Sequence, residues 1–296
     1  MHQSHIVDLG TPVHVIDHGG SGRLMILVHG LEGSALNWAA VGPYLAQGRK
    51  VIAPDLAGFG ITPPGSRGSS VEANAQLVVE MIEREGNGPA IVIGNSMGGL
   101  VSILAAVEAP HLVDRMILVD PALPVRSWRK TDPEVLLKLA GPLLPGVGGQ
   151  LIRVYQATHS PEEHTKESIA MITAHPDAVL PIVWESQLEM HRIRRSLDWA
   201  IPAFRDADRS ISRYVLNRSR FRKLIHRVST PTLLIHGVED RLVSVDSAQW
   251  LMEERPDWDA IFFDDVGHVP MLEVPEAFVE AVEEWLGPAE DEKGVA

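Results

Sequence analysis

Three side chains in this sequence have the types needed to make a hydroxyl nucleophilic, and each follows an apolar, strand-like run. Ser96 lies in Gly94-Asn95-Ser96-Met97-Gly98-Gly99, between the run 90–94 and a helical stretch from residue 99. A serine hydroxyl attacks poorly until a base takes its proton, and a carboxylate must hold that base in one tautomer. His268, in Val266-Gly267-His268-Val269-Pro270, is the candidate base, and Asp240, in Gly237-Val238-Glu239-Asp240-Arg241, is the candidate carboxylate. Asp120 and Glu239 are its competitors. Any one of 13 histidines is unremarkable. His268 stands apart by its flanking glycine, its place beyond the last strand-like run, and the chain order serine, acid, histidine.

A strand, tight turn and helix around Ser96 would put its hydroxyl on a strained bend above the sheet edge. The glycines at 94 and 98 would let helix and strand approach closely. Negative charge developing on an acyl oxygen needs two preorganised backbone N–H groups. Met97, directly after the serine, supplies one. Leu31, in His29-Gly30-Leu31-Glu32-Gly33-Ser34, is the candidate for the other. His29 reads as a buttress of that loop, and Asp55, in Pro54-Asp55-Leu56-Ala57-Gly58-Phe59-Gly60, as a loop-shaping carboxylate. His111, His159, His164 and His175 lack metal-ligand spacing, so no metal is expected. No Gly-x-Gly-x-x-Gly follows a first strand, which argues against a dinucleotide cofactor.

The elements that must position these residues alternate. Apolar runs at 6–9, 13–17, 24–29, 50–54, 90–94 and 115–120 predict strands, with helices at 38–46, 71–85 and 99–109. The rhythm resumes with strands at 232–236 and 260–264 and helices at 247–254 and 275–286. Such alternation predicts an α/β fold whose mostly parallel sheet is covered on both faces. Between the halves, strand signals vanish and helices are expected at 134–139, 149–157, 162–174, 179–194 and 210–218. The division is therefore a core of residues 1–121 and 229–296 with a helical cap inserted at 122–228.

The chain has 296 residues, 45% of them hydrophobic, and no cysteine, which excludes disulfides and thiolate chemistry. A net charge of −13 argues against nucleic-acid binding. Residues 191–228 run against that balance, with ten Arg and one Lys against three Asp, and read as a solvated helix face carrying pairs such as Asp206 with Arg209. The stretch 136–145, rich in Leu, Gly and Pro, is too broken to span a membrane and is expected to pack the cap, some of it lining an acyl pocket. The acidic tail after Leu286 is expected to fray. The first residues carry neither a basic nor an apolar leader segment, so a cytoplasmic location is expected.

The combination of His29-Gly30, Asp55-x-x-Gly58-x-Gly60, Gly94-Asn95-Ser96-Met97-Gly98-Gly99, Asp240 and Gly267-His268 resembles the α/β-hydrolase superfamily. The resemblance implies an eight-stranded sheet flanked by helices, a helical cap after the sixth strand, and no cofactor. Epoxide hydrolases and haloalkane dehalogenases of that superfamily use Asp where this chain has Ser96. The elbow is similar to that of meta-cleavage-product C–C hydrolases, which usually carry Trp after the histidine and a Gly-Pro-Gly oxyanion loop. This chain has Val269 and His29-Gly30-Leu31-Glu32-Gly33 there, and looks more like a carboxylesterase or monoacylglycerol lipase. The expectation is an acyl-enzyme mechanism on Ser96, Asp240 and His268 with a small-molecule ester bearing an apolar acyl group. Neither nucleic acid nor a membrane span is expected as a partner, and a homodimer is allowed. C–C hydrolysis and a catalytically silent binding protein are the alternatives.

Overall fold

The apolar runs become one eight-stranded sheet in a computed structural model that describes residues 3–126, 141, 144 and 147–287. The strands are β1 (Gln3–Asp8), β2 (Pro12–Gly19), β3 (Arg23–Val28), β4 (Arg49–Pro54), β5 (Ala90–Asn95), β6 (Val113–Val119), β7 (Thr232–Gly237) and β8 (Asp259–Phe263). Their order is β1-β2-β4-β3-β5-β6-β7-β8; β2 runs antiparallel to both neighbours and every later pairing is parallel. Both faces are apolar with a period of two. Leu24, Ile26, Val28, Val92, Met116 and Leu118 point into one core, while Met25, Leu27, Ile91, Ile93, Ile117 and Val119 point into the other.

The sheet order also fixes where a site can form. From β3 the chain crosses to β4 on one side, then returns to β5 on the other. The carboxyl ends of β3 and β5 therefore flank a crevice that no connection covers, the usual ligand position in open α/β sheets. Val28 pairs with Gly94 in register, so the loop after β3 and the turn after β5 leave the sheet side by side.

Helices α1 (Gly42–Leu45), α2 (Val71–Glu85) and α3 (Met97–Glu108) lie among the first strands. Between β6 and β7 come α4 (Gly148–Thr158), α5 (Pro161–Ile172), α6 (Pro181–Arg195), α7 (Ala200–Val215) and α8 (Arg218–Ile225), and α9 (Val245–Glu254), α10 (Pro270–Glu273) and α11 (Pro275–Leu286) follow. No helix among the described residues is long and apolar enough to cross a membrane. The helix expected at 134–139, most of the apolar stretch 136–145 and the acidic tail lie outside the described residues.

Two helical stretches differ from their sequence expectation. Residues 38–46 form a 3₁₀ turn, Ala35–Trp38, and then the single turn α1, because Pro43 lacks an N–H and is accepted only where a helix starts. The expected helix at 210–218 is instead the end of α7 and the start of α8. Pro202 sits harmlessly in the first turn of α7, and Asn217 divides the two helices, its side chain accepting from Arg220 N–H at 2.9 Å.

The basic segment 191–228 is largely a solvated face, with Arg192, Arg209, Arg213, Arg218, Arg220, Arg222 and Arg227 exposed, but its partners come from other elements. Arg192 meets Glu162 at 2.7 Å, Arg222 meets Glu254 at 2.5 Å, and Arg218 stacks 4.7 Å over Trp250. Asp206 accepts Ser69 N–H at 2.9 Å. Tyr214, Phe221, Leu224 and Ile225 join the same apolar cluster as α2 and α3.

Candidate active site

Ser96 directly follows β5 with φ 55° and ψ −117°, in the left-handed half of backbone space that a non-glycine residue enters at a cost of about 1–3 kcal/mol. The structure over-determines that strain. Ser96 N–H donates to Val119 O at 2.9 Å, and Ser96 O accepts from Gly99 at 3.0 Å and Ala122 at 3.0 Å. A Cβ on Gly98 would lie 2.2 Å from Val28 O, so α3 can sit this close to β3 only with glycine there. Met97 opens α3, where N–H groups have no partner within the helix.

The loop after β3 packs directly on this turn: a Cβ on Gly30 would lie 3.1 Å from Ser96 Cβ. His29 braces the loop from below. Its Nε2 accepts Leu56 N–H at 3.0 Å, so the ring hydrogen is on Nδ1, which donates to Gly30 O at 2.8 Å. Burial lowers the proton affinity of His29 despite the attraction of Asp55, in keeping with a neutral buttress. Asp55 is committed to shape: it accepts Ala35 N–H at 2.7 Å and Ile61 N–H at 2.9 Å, and its Oδ2 lies 2.8 Å from His14 Nδ1.

His268 and Asp240 meet, with His268 Nδ1 2.7 Å from Asp240 Oδ2 and both residues buried. Asp240 Oδ1 is pinned by the N–H groups of Leu242 at 2.7 Å and Val243 at 3.0 Å. Burial works to raise the Asp240 carboxyl; the charge and hydrogen bond of His268 outweigh it and hold the group below the ordinary carboxylate range. Glu239 uses its N–H on Val266 O. Asp120 lies behind Asp240 rather than against His268, and burial, with the Asp240 charge, pushes its carboxyl well upward.

The sequence reading missed the residues that fix His268. Asn95 Nδ2 donates to His268 O and Val119 O, each at 3.1 Å, tying the His268 backbone to the serine turn. His268 N–H donates to Ile172 O at 2.8 Å, which links it to the end of α5. Glu273 accepts Gly267 N–H at 2.9 Å and Ala174 N–H at 2.7 Å. The one sequence signal was the spacing of Glu273 after Gly267-His268, which periodicity does not pick out.

Asp120, His236 and Asp240 offer three possible metal-ligand atoms within 4.8 Å of one another, all buried. Asp240 already spends both oxygens on His268, Leu242 and Val243, and His236 faces Val243 O at 3.1 Å through Nε2. Asp120 Oδ2 and His236 Nδ1 are buried without a hydrogen-bond partner, so the set is only partly engaged within the protein.

The chain matches the profile of the alpha/beta hydrolase fold family over residues 23–275. It belongs to the α/β-hydrolase family. It is 30% identical over 254 residues to a pimeloyl-[acyl-carrier protein] methyl ester esterase of Aromatoleum aromaticum, covering 85% of this chain and 93% of that protein. Lipase 1 of Psychrobacter immobilis is 27% identical over 259 residues, 86% of this chain and 73% of the lipase. The meta-cleavage product hydrolase of Pseudomonas fluorescens superposes with a TM-score of 0.75 at 22% identity, covering 96% of this chain and 97% of that one, a likeness of fold.

This hydrolase carries further buried charged groups on the helices after β6. Arg194 of α6 reaches 3.4 Å from Glu32, whose own φ is 63° in the loop after Leu31. Asp208 on α7 is buried with Oδ2 unpartnered; burial and the nearby Glu32 push its carboxyl up to about 7, against Arg209. The folded state thus binds this proton more tightly than the unfolded chain, whose aspartate titrates near about 4. The stability from that proton is present below the ordinary carboxylate range and is lost as pH rises through about 7. Thermal melts are expected to show Asp208→Asn gaining on the wild type as pH is raised from about 5 to about 8. A melting difference that stays constant over that range would contradict the assignment.

Proposed function

We propose that this enzyme hydrolyses carboxylic esters through an acyl-enzyme on Ser96. The observation that carries the reading is the 2.7 Å contact of His268 Nδ1 with Asp240 Oδ2, on a histidine whose backbone is tied through Asn95 to the serine turn. The names of the esterase and lipase relatives support the same class.

In this mechanism Ser96 Oγ bonds to the ester carbonyl carbon while its proton passes to His268 Nε2. Asp240, kept ionised by His268 and by two backbone N–H groups, holds the imidazole tautomer and stabilises the imidazolium. The oxyanion is received by the N–H groups of Met97 and Leu31. The carbon–oxygen ester bond then breaks, and the leaving alcohol takes the proton from His268. Water gives its proton back to His268 and attacks the acyl carbon, releasing the acid and restoring Ser96. The helices between β6 and β7 act as the cap that selects the substrate, with a small-molecule ester of apolar acyl chain as the expected fit.

C–C hydrolysis of a dienoate would use the same three residues but needs a cation for the substrate carboxylate. Arg194 is the buried candidate, and it is already drawn to Glu32. Val269, beside the histidine, is buried in the apolar core. One preparation is therefore expected to turn over short- to medium-chain p-nitrophenyl esters and to leave a 2-hydroxy-6-oxo-dienoate nearly untouched. A dienoate kcat/KM about a hundredfold above the best ester, equivalent to about 3 kcal/mol of transition-state binding, would overturn ester hydrolysis.

A further inference from the structure

The carboxyl just after β6 has no part in the ester mechanism, yet it is held with care. Asp120 is fully buried and has φ 43°, a left-handed conformation that an aspartate enters only where its surroundings impose it. Asp120 N–H donates to Ile235 O at 2.9 Å, and Oδ1 accepts Gly237 N–H at 2.9 Å. Oδ2 is equally buried and receives no hydrogen bond from any N–H or O–H group.

The neighbours decide how that oxygen is satisfied. Asp240 approaches from the loop after β7 and is already the better anion, with three N–H groups on its two oxygens. His236, fully buried on β7, faces Val243 O through Nε2; a carbonyl can only accept, so the ring hydrogen is on Nε2. Its Nδ1 lies 3.1 Å from Asp120 Oδ1 but off the line of a hydrogen bond, and burial opposes a charge on the ring. Two buried carboxyls this close do not both stay ionised. The proton belongs on the one with a bare oxygen.

We propose that Asp120 is a positioning residue that stays protonated while the enzyme works, its Oδ2–H donating to the Asp240 carboxylate and fixing how that carboxylate meets His268. The inference rests on the role given above to Asp240. The groups facing Asp120 agree with it: burial first, then the charge of Asp240 and a hydrogen bond to it, with Glu273 adding, raise its proton affinity, and only Gly237 N–H opposes them. His268 is reached through Asp240. A donated proton withdraws charge from Asp240, which then stabilises the His268 imidazolium less and lets the base work at lower pH.

Replacing Asp120 separates this role from simple packing. Asp120→Asn keeps an uncharged donor and is expected to hold kcat/KM within about threefold of wild type, with the acidic limb of its pH profile unmoved. Asp120→Ala removes the donor: kcat is expected to fall about tenfold with little change in KM, and the acidic limb to move to higher pH. An acidic limb that moves to lower pH in Asp120→Asn would mean that an ionised carboxylate had been lost, as in a pair with a charged His236, and would overturn the proposal. An Ala variant that is less stable but has an unmoved limb would reduce Asp120 to packing and also overturn it.

Carbon-13 spectra of wild-type enzyme labelled at the aspartate carboxyls give a readout that needs no variant to fold. One signal is expected to stay at the protonated position through neutral pH, distinct from the Asp208 signal that titrates through about 7, and to vanish in Asp120→Asn. Its absence sinks the proposal whatever the kinetics. Full activity in Asp240→Asn would sink the triad reading instead and leave that signal standing.

Discussion

Ser96→Ala is expected to cost about 10⁶ in kcat, the scale on which a serine hydrolase loses its nucleophile, while leaving the fold intact. The strain at φ 55° is set by the backbone bonds of Ser96 to Val119, Gly99 and Ala122, and alanine keeps all of them. Only the Oγ disappears. The rate that remains would come from the N–H groups of Met97 and Leu31 acting on a bound ester attacked by water. A fluorophosphonate probe is expected to label the wild type at Ser96, found by peptide mass analysis, and to leave the variant unlabelled. Labelling that survives in Ser96→Ala would place the nucleophile elsewhere and remove the basis for the acyl-enzyme.

The route from sequence to this site was uneven, for physical reasons. Strands such as Ala90–Asn95 were legible because parallel strands buried on both faces are continuous apolar runs. Ser96, Asp240 and His268 were legible because each follows such a run, and the loop at Leu31 because its glycines mark a tight turn. What joins them was not. The side-by-side exit of β3 and β5 depends on a crossover that no local pattern encodes. Asn95 and Glu273 act through hydrogen bonds to main-chain atoms distant in sequence, and their residue types alone carry no such signal. The arginines of 191–228 looked like a surface in one dimension; Arg194 and Arg195 are in part buried, because the partners that accept them, Glu32 and His159 O, come from other elements.

The contest between Asp120 and Asp240 was also open in the sequence, since both follow strands, and it gives the second large expected effect. Asp240→Asn should lower kcat by about 10⁴, the loss seen when a triad carboxylate becomes an amide. The local geometry supplies the cause. Leu242 and Val243 direct their N–H groups at one oxygen of residue 240, at 2.7 and 3.0 Å, so an asparagine must leave its carbonyl there. Its NH₂ is then forced into the place of Oδ2, facing His268 Nδ1. An amide N–H can only donate, so the ring must present a bare Nδ1 and carry its hydrogen on Nε2, the nitrogen that has to take the Ser96 proton. The base is thereby occupied before the reaction begins. Asp120→Asn faces no such constraint, because an amide there can still accept from Gly237 and donate toward Asp240. Single-turnover rates of the two variants, measured on the same ester, should therefore differ by about three orders of magnitude or more, with Asp240→Asn the slower. The reverse order would make Asp120 the acid of the triad.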